Sequence, residues 1–457
     1  LEIKLLVTKN QKSNYICLSH CWGKGEQTKT TPQTYETHLK GIEYDKLSQT
    51  FKDAVLITRS LGSRYLWIDS LCIIQEQPDL SDWVMEASKM ATVYKNALVT
   101  IAATGAKDGT GGCFNEEKDE EILVSDKECQ TYSAHVRRHI EHTDLDSQEF
   151  PLLTRGWVYQ ERLLSPRFLQ FGKKEIAWEC MEQSLCECGT SNTKEIRWKM
   201  LCYTTLFDLK EEWWQLIENY SCLDLSYETD KLPALSGLAK QMLENRKGAL
   251  SRLASESGLL HREEYLVGMW RTSLREDLLW YSETHPRPKK YCAPSWSWAS
   301  VRYGIGFLKN TMNVVISDQF SIEEVYCTLV GDDPTGRVTG GVLRLKGKTC
   351  SGTLSYNFSN PRRVKYLVSD ISKNKSGNSG EFSFGADYPL EKEGFGYLEP
   401  GTTVFCLEMG TNENVEFMMI LKYMDCTVYA RIRLALVEVG KLDELGVERE
   451  VKEFELI

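Results

Sequence analysis

Three short apolar runs are separated by two segments whose apolar residues recur every three or four positions, all within the first hundred residues. That alternation restricts the fold more than any other feature of the chain. Tyr15 to Ser19 (YICLS) stops at the polar turn HCWGKG and has the brevity of a buried strand. A polar, Thr-rich loop follows from Gly23 to about Leu47. Phe51, Ala54, Val55, Thr58 and Leu61 then share one helical face, and Gly62 is a natural stop. Tyr65 to Ile68 (YLWI) reads as a second strand, ending at Asp69 and Ser70. The spacing of Leu80, Trp83, Val84, Ala87, Ala91 and Tyr94 predicts a helix over 79–96, and Leu98 to Ala103 a third strand. Strand, helix, strand, helix, strand is the pattern of a small parallel sheet flanked by helices, an α/β core. Such sheets bind small ligands beyond the carboxyl ends of their strands, which here carry Ser19-His20-Cys21-Trp22-Gly23 and Asp69-Ser70.

Beyond this core the character changes twice. Residues 107–150 are polar and read as an irregular surface insertion, after which Trp157 to Leu164 forms a helix ended by Pro166. Residues from about 195 to 290 look helical and Trp-rich. After HPRPKKYCAPSW, β-rich segments begin at Val325, Val342, Thr402, Val415 and Val428, split by Gly- and Asp-containing turns. The stretch Ser369 to Gly385 reads as a flexible loop, GDDPTG (331–336) is a turn and no phosphate loop, and no internal repeat is present. With 457 residues, more than one core is expected. The predicted division is an α/β core over 1–190, a helical extension over 191–290 and a β-rich domain over 291–457.

Charge narrows the partners. A formal net charge of −10 without a long Lys/Arg run argues against a nucleic-acid groove, which needs a concentrated positive field. No run approaches the ~20 apolar residues that span a bilayer. Leu1 to Lys12 has no signal-peptide core, and the missing Met suggests a segment absent or processed upstream. A soluble, cytoplasmic protein with no membrane partner is therefore expected. Its fifteen cysteines are scattered, several in apolar runs (Cys17, Cys72, Cys406), which favours reduced thiols over a disulfide framework. Cys180, Cys186 and Cys188 are the densest group and could seed a zinc site. No C-x-x-C pair or evident fourth ligand accompanies them, so no metal is expected.

Four stretches carry a family resemblance: YICLSHCWG (15–23), RYLWIDSLCIIQ (64–75) with DWVMEASKMATVYKNALVTIAA (82–103), TRGWVYQERLLSPR (154–167) and WEC (178–180). In order and spacing they resemble the heterokaryon-incompatibility (HET) domain of filamentous fungi. DKLPALSGLAK (230–240) and APSWSWAS (293–300) resemble the extension that follows it. The resemblance implies a role in incompatibility and programmed cell death, with self-association or an incompatibility partner protein. HET relatives carry more chain before the first strand, in keeping with a truncated N-terminus here.

More distantly, the core resembles the TIR fold, in which a parallel sheet supports a helix bearing W-x-x-E. Trp83-Val84-Met85-Glu86 fits that motif. The resemblance implies NAD as substrate and Glu86 as the catalytic residue of an NAD hydrolase. So sparse a site suits the chemistry, because nicotinamide leaves as a neutral base and needs no general acid, unlike the leaving group of an ordinary glycoside. One carboxylate that holds the ribose hydroxyls and stabilises the oxocarbenium-like charge could supply much of the catalysis. Trp22 or Trp83 could stack on a flat base, and Gly23 allows close approach of backbone to a nucleotide. Glu86 lies about 60° round the helix from Trp83 at ~100° per residue, on the flank of the apolar stripe. The plainer reading is a solvated helix glutamate.

The remaining candidates carry equal ambiguity. Asp69 and Ser70 are ligand contacts or a helix-entry turn. His20 beside Cys21 invites a thiol-nucleophile reading, which adjacent side chains pointing apart would defeat. Arg155 could clamp a phosphate, although Arg155, Glu161 and Arg162 also suit internal ion pairs. The tryptophans of PSWSWAS suit core packing between domains better than ligand binding. Three functions compete: an NAD-cleaving hydrolase or cyclase, a non-enzymatic signalling module that assembles with a partner, and an enzyme recruited to secondary metabolism. The last would use a pocket lined by residues 195–300.

Overall fold

The computed structural model describes residues 2–457 apart from 26, 76–80, 115–119, 126–129, 137–148, 190–204, 258–261, 283–286, 309–312, 358–364, 372–379, 388, 391–396, 426–427 and 445–446. The chain forms two compact units, Leu1–Cys202 and Tyr203–Ile457. The expected boundary at 190/191 lies outside the described residues.

The first unit is built on a six-stranded sheet. Its strands are β1 (Ile16–Ser19), β2 (Leu66–Ile68), β3 (Val99–Ala102), β6 (Arg167–Phe171), β7 (Ile176–Cys180) and β8 (Ser184–Cys186), in the order β2-β1-β3-β6-β7-β8. β1 pairs in parallel with both β2 and β3, and β3 with β6, whereas β7 and β8 run antiparallel. The fold is α/β, as the periodicities require. The chain leaves β1 toward one edge and returns past it to β3, so the strand order reverses at β1. In open α/β sheets that switch point is where a crevice forms.

Two-residue periodicity divides the core between the sheet's faces. Ile16, Leu18, Val99 and Ile101 pack with Phe51, Ala54 and Ile57 of helix α2 (Gln49–Ser60). Cys17 points the other way, with Met90, Tyr94 and Ala97, the first two on helix α4 (Ser81–Lys95). Ser48 caps α2, its hydroxyl accepting from the Phe51 N–H at 3.4 Å, and Gly62 follows the helix at φ +74°. Helix α5 (Gly156–Leu164) lies on the α4 side, where Trp157 meets Trp83 edge to face.

Two segments differ from expectation. The Thr-rich loop carries a short helix, α1 (Tyr35–Lys40), and the insertion carries a hairpin, β4 (Glu120–Ser125) with β5 (Thr131–Val136). Neither has the one-sided apolar pattern that announces an element. α1 is under two turns long, and Ile122, Leu123, Val124 and Tyr132 of the hairpin are all exposed. Helix α3 (Asp69–Cys72) follows β2 directly.

The second unit begins with helices α6 (Leu206–Ser221) and α7 (Ser236–Ser257) and is β-rich thereafter. Strands Val338–Asn357, Thr403–Thr411, Val415–Asp425, Val428–Glu438 and Glu450–Leu456 pair in a closed ring around Cys350, Leu354, Val404, Cys406, Met418, Ile420 and Ile432. The long first strand closes it by pairing with Glu450–Leu456 along one half and Thr403–Thr411 along the other. Closure removes exposed edges. Trp296 and Trp298 of PSWSWAS are buried within this unit. Strands Lys365–Ile371 and Gly380–Phe384 occupy both ends of the expected loop at 369–385, and its middle lies outside the described residues. Among the described residues, no helix is long and apolar enough to cross a membrane.

Candidate functional site

β1 ends at the switch point with Ser19 facing α5 and His20 facing α2, as alternation along a strand demands. The Ser19 hydroxyl donates to Glu161 Oε2 at 2.5 Å, and both residues are buried. Tyr94 reaches the same place from α4: its hydroxyl donates to the Leu18 carbonyl at 3.3 Å and also hydrogen-bonds Glu161. Burial pushes the Glu161 carboxyl up to about 7, and the charge of Asp69 adds to this. The Ser19 hydrogen bond, the Arg155 charge and the Tyr94 hydrogen bond oppose it.

On the other face, the His20 ring meets Phe51 edge to face at 5.0 Å. Its Nδ1 lies 3.8 Å from Asp69 Oδ1 and its Nε2 3.4 Å from Gln27 Oε1. Burial lowers the His20 pKa, Arg155 lowers it further, and Asp69 and Gln27 work against them. The imidazole is therefore neutral near pH 7. Cys21 packs instead with Leu152, Val158 and Phe168, so His20 and Cys21 do not form a nucleophile pair.

Asp69 ties the first two strand ends together. It accepts from Trp22 Nε1 at 2.9 Å through Oδ2 and from the Ser70 N–H at 2.7 Å through Oδ1. Ser70 is buried, and its hydroxyl donates to the Thr28 carbonyl at 3.4 Å. Arg155, at the entry to α5, donates from Nη1 to the His20 carbonyl at 3.1 Å. Gly23 turns the chain at φ +69°, where a Cβ would lie 2.3 Å from that of Asp108. Its lack of a side chain serves the packing of two loops.

Ser19, His20, Trp22, Asp69 and Arg155 thus form one polar cluster. Glu86 and Trp83 are bonded elsewhere. Glu86 Oε1 pairs with Lys89 Nζ at 2.8 Å, its side chain 24% exposed, and Trp83 packs on Trp157. Glu86 is nevertheless close enough for its charge to act on Cys72, at the end of α3. Burial raises that thiol to about 11, the Ile68 backbone contact lowers it, and the charges of Asp69 and Glu86 add to the rise.

Glu161 is the residue that sequence reasoning passed over as a site member. The signal was present: Val158, Glu161 and Leu164 are spaced 3 and 3, all three are buried, and a carboxylate on an apolar stripe must find partners. The internal ion pair of this helix belongs to Arg162, whose Nε and Nη2 donate to Glu179 Oε1 at 3.0 and 2.5 Å. Gln170 Nε2 donates to the same oxygen at 2.5 Å.

A mostly parallel sheet with a buried polar cluster at its switch point makes the first unit an α/β domain. Residues 15–161 match the family model described as Heterokaryon incompatibility protein (HET), a span that runs from the residue before β1 to the buried Glu161. Residues 15–161 of the chain therefore carry a HET domain. No curated protein and no solved structure matches it.

Proposed function

We propose that the HET domain binds a nucleotide at the β1–β2 strand ends and hydrolyses NAD at the nicotinamide–ribose bond, as the output of a cytoplasmic incompatibility and cell-death response. Water enters at the ribosyl carbon; nicotinamide, ADP-ribose and a proton leave. The observation that carries this reading is the division of the cluster into a buried floor and an accessible rim. Ser19, His20, Ser70 and Glu161 are buried, whereas the Asp69 side chain is 22% exposed and Trp22 is half-buried; Glu86, outside the cluster on α4, is 24% exposed, and its charge and that of Asp69 both act on Cys72.

In this reading Glu86 holds the ribose hydroxyls and stabilises the positive charge that develops as the bond breaks. Trp22 or Trp83 stacks on a base, and Arg155 attends a phosphate. Lys89 is no obstacle, since an exposed pair one turn apart is worth only ~0.2–0.5 kcal/mol and ligand hydroxyls can replace it.

The test is incubation of the purified full chain with NAD and chromatography of the products, across protein concentrations that permit self-association. Nicotinamide release that vanishes in Glu86→Gln and Glu86→Ala, with circular dichroism unchanged, supports the proposal. Equal release from wild type and both variants refutes it. A second reading, a non-enzymatic module that assembles with itself or a partner protein, is favoured by the Glu86–Lys89 ion pair. It predicts no turnover at any concentration and concentration-dependent assembly in its place.

A further inference from the structure

A second group of side chains in the HET-bearing unit has the composition and closeness of a metal site. Glu175, Cys186 and Cys188 bring one carboxylate oxygen and two sulfurs within 4.8 Å of one another. Tetrahedral zinc with Zn–S near 2.3 Å and Zn–O near 2.0–2.2 Å holds its ligand atoms somewhat under 4 Å apart, so small side-chain adjustments suffice.

The backbone presets this arrangement. β6 and β7 are joined by a tight turn in which the Gly172 N–H donates to the Glu175 carbonyl at 3.0 Å, and a Cβ on Gly172 would lie 2.8 Å from that carbonyl oxygen. β7 and β8 pair with Ala177 opposite Cys186, which carries the second strand back alongside Glu175. The chain then turns, the Gly189 N–H donating to the Cys186 carbonyl at 2.9 Å with Gly189 at φ +80°, and Cys188 returns over Cys186. The Cys186 thiol donates to Glu175 Oε2.

Alternation along β7 also says which cysteine is left out. Cys180 is an odd number of residues from Glu175, so it points to the opposite face of the sheet. The nearest cysteines in sequence are therefore not the ligand set. Beside the trio, Thr104, Phe150, Gln170, Lys173 and Ala177 line part of a small open groove that also includes Glu175 and Cys186. A metal held by three protein ligands keeps its fourth position for water or a ligand, and the groove supplies access to it. Thiolate ligands select zinc over magnesium or calcium.

We propose that Glu175, Cys186 and Cys188 bind one zinc ion, with the fourth position open to a groove at the carboxyl ends of β3 and β6. The experiment uses the full chain, kept reduced, stripped with a chelator and titrated with zinc against a chromophoric chelator. Cobalt(II) is titrated in parallel and read by absorption. Wild type is expected to take up one ion per chain and to show thiolate-to-cobalt charge-transfer bands. Cys186→Ser and Cys188→Ser should each weaken zinc binding by at least ~100-fold, since even an outer-shell partner is worth ~10–100-fold. Glu175→Gln should weaken binding while keeping the charge-transfer bands, a separation that general loss of structure would not produce. Cys180→Ser should bind as wild type does. Zinc uptake by wild type no tighter than that of the Cys186→Ser/Cys188→Ser double variant overturns the proposal, as does a loss in Cys180→Ser equal to that in Cys186→Ser.

Discussion

The buried carboxyl of Glu161 should make the HET-bearing unit less stable as pH rises, and Glu161→Gln should abolish that dependence. In the unfolded chain the carboxyl ionises near 4.5, and in the folded chain burial holds it protonated up to about 7. Between these values the folded state binds the extra proton, so stability is fully present below about 4.5 and falls as pH rises toward 7. The displacement of about 2.5 pH units is worth about 3 kcal/mol at ~1.4 kcal/mol per unit. Glutamine matches the protonated acid in shape, and its carbonyl oxygen still accepts from Ser19. The variant should therefore equal wild type near pH 4 and exceed it by about 3 kcal/mol at pH 8. For a unit of this size that is a rise of roughly 6–12 °C in Tm.

Thermal unfolding of both proteins from pH 4 to 8 measures this. The difference between the two curves is what matters, because other groups titrate in the same window. His20, with its lowered pKa, contributes stability that is present above 6.5 and lost as pH falls, the opposite sign to Glu161. In the second unit Asp277 is raised to about 6, by burial against the Arg246 charge and the Trp270, Trp214 and Ser273 hydrogen bonds. It has the same sign as Glu161. Both contributions are common to wild type and Glu161→Gln and cancel in the comparison. Parallel curves across the whole range would refute the argument that Glu161 folds in its protonated form.

Three further substitutions probe the same region. Gly23→Ala places a Cβ 2.3 Å from that of Asp108 at a backbone angle that disfavours side chains, so a loss of roughly 1–3 kcal/mol is expected in denaturant unfolding. Trp22→Phe removes the N–H that Asp69 accepts at 2.9 Å while keeping an aromatic ring, and should cost about 0.5–1.5 kcal/mol. Arg162→Met removes the guanidinium whose Nη2 donates to the buried Glu179 at 2.5 Å, and a loss of about 3–5 kcal/mol is expected. Arg162→Met/Glu179→Gln should recover part of it in a double-mutant cycle.

What the sequence disclosed follows from the range of the signal. The three parallel strands and the helices at 49–60, 81–95 and 156–164 are written in periods of a few residues, and the strands' carboxyl ends then follow from the α/β layout. That Ser19, His20, Trp22 and Asp69 meet there is a consequence of that layout. Partners chosen by register or helix packing were not legible. Glu161 lies 142 residues from Ser19, and its charge reads as one half of an internal ion pair with the neighbouring arginines until the packing of α5 on the sheet is known. The grouping Cys180, Cys186, Cys188 was drawn from proximity along the chain. The β6–β7–β8 register replaces Cys180 with Glu175. In the second unit the strands at 403–411, 415–425 and 428–438 were legible, but the closing strand Glu450–Leu456 was not, and the ring closes through pairs fifty or more positions apart.

The buried and the solvent-reached carboxylates of the HET domain make different demands on any ligand. Glu161 is enclosed by Ser19 and Tyr94 and is protonated at moderately acid pH, so it acts as a hydrogen-bonded brace between β1, α4 and α5. A ligand that reached it would have to break a buried network whose members cannot find water, at a cost of ~1–3 kcal/mol for each group left unpaired. Asp69 and Glu86 retain contact with solvent, and Glu86 gives up only an exposed ion pair when it is recruited. Recognition should therefore depend on the rim and stability on the floor. Substituting Glu86 should change ligand binding or turnover without a pH-dependent change in Tm, and substituting Glu161 should do the reverse. A Glu86→Gln protein whose stability curve shifts as that of Glu161→Gln does would merge the two groups and remove the distinction on which the proposed chemistry rests.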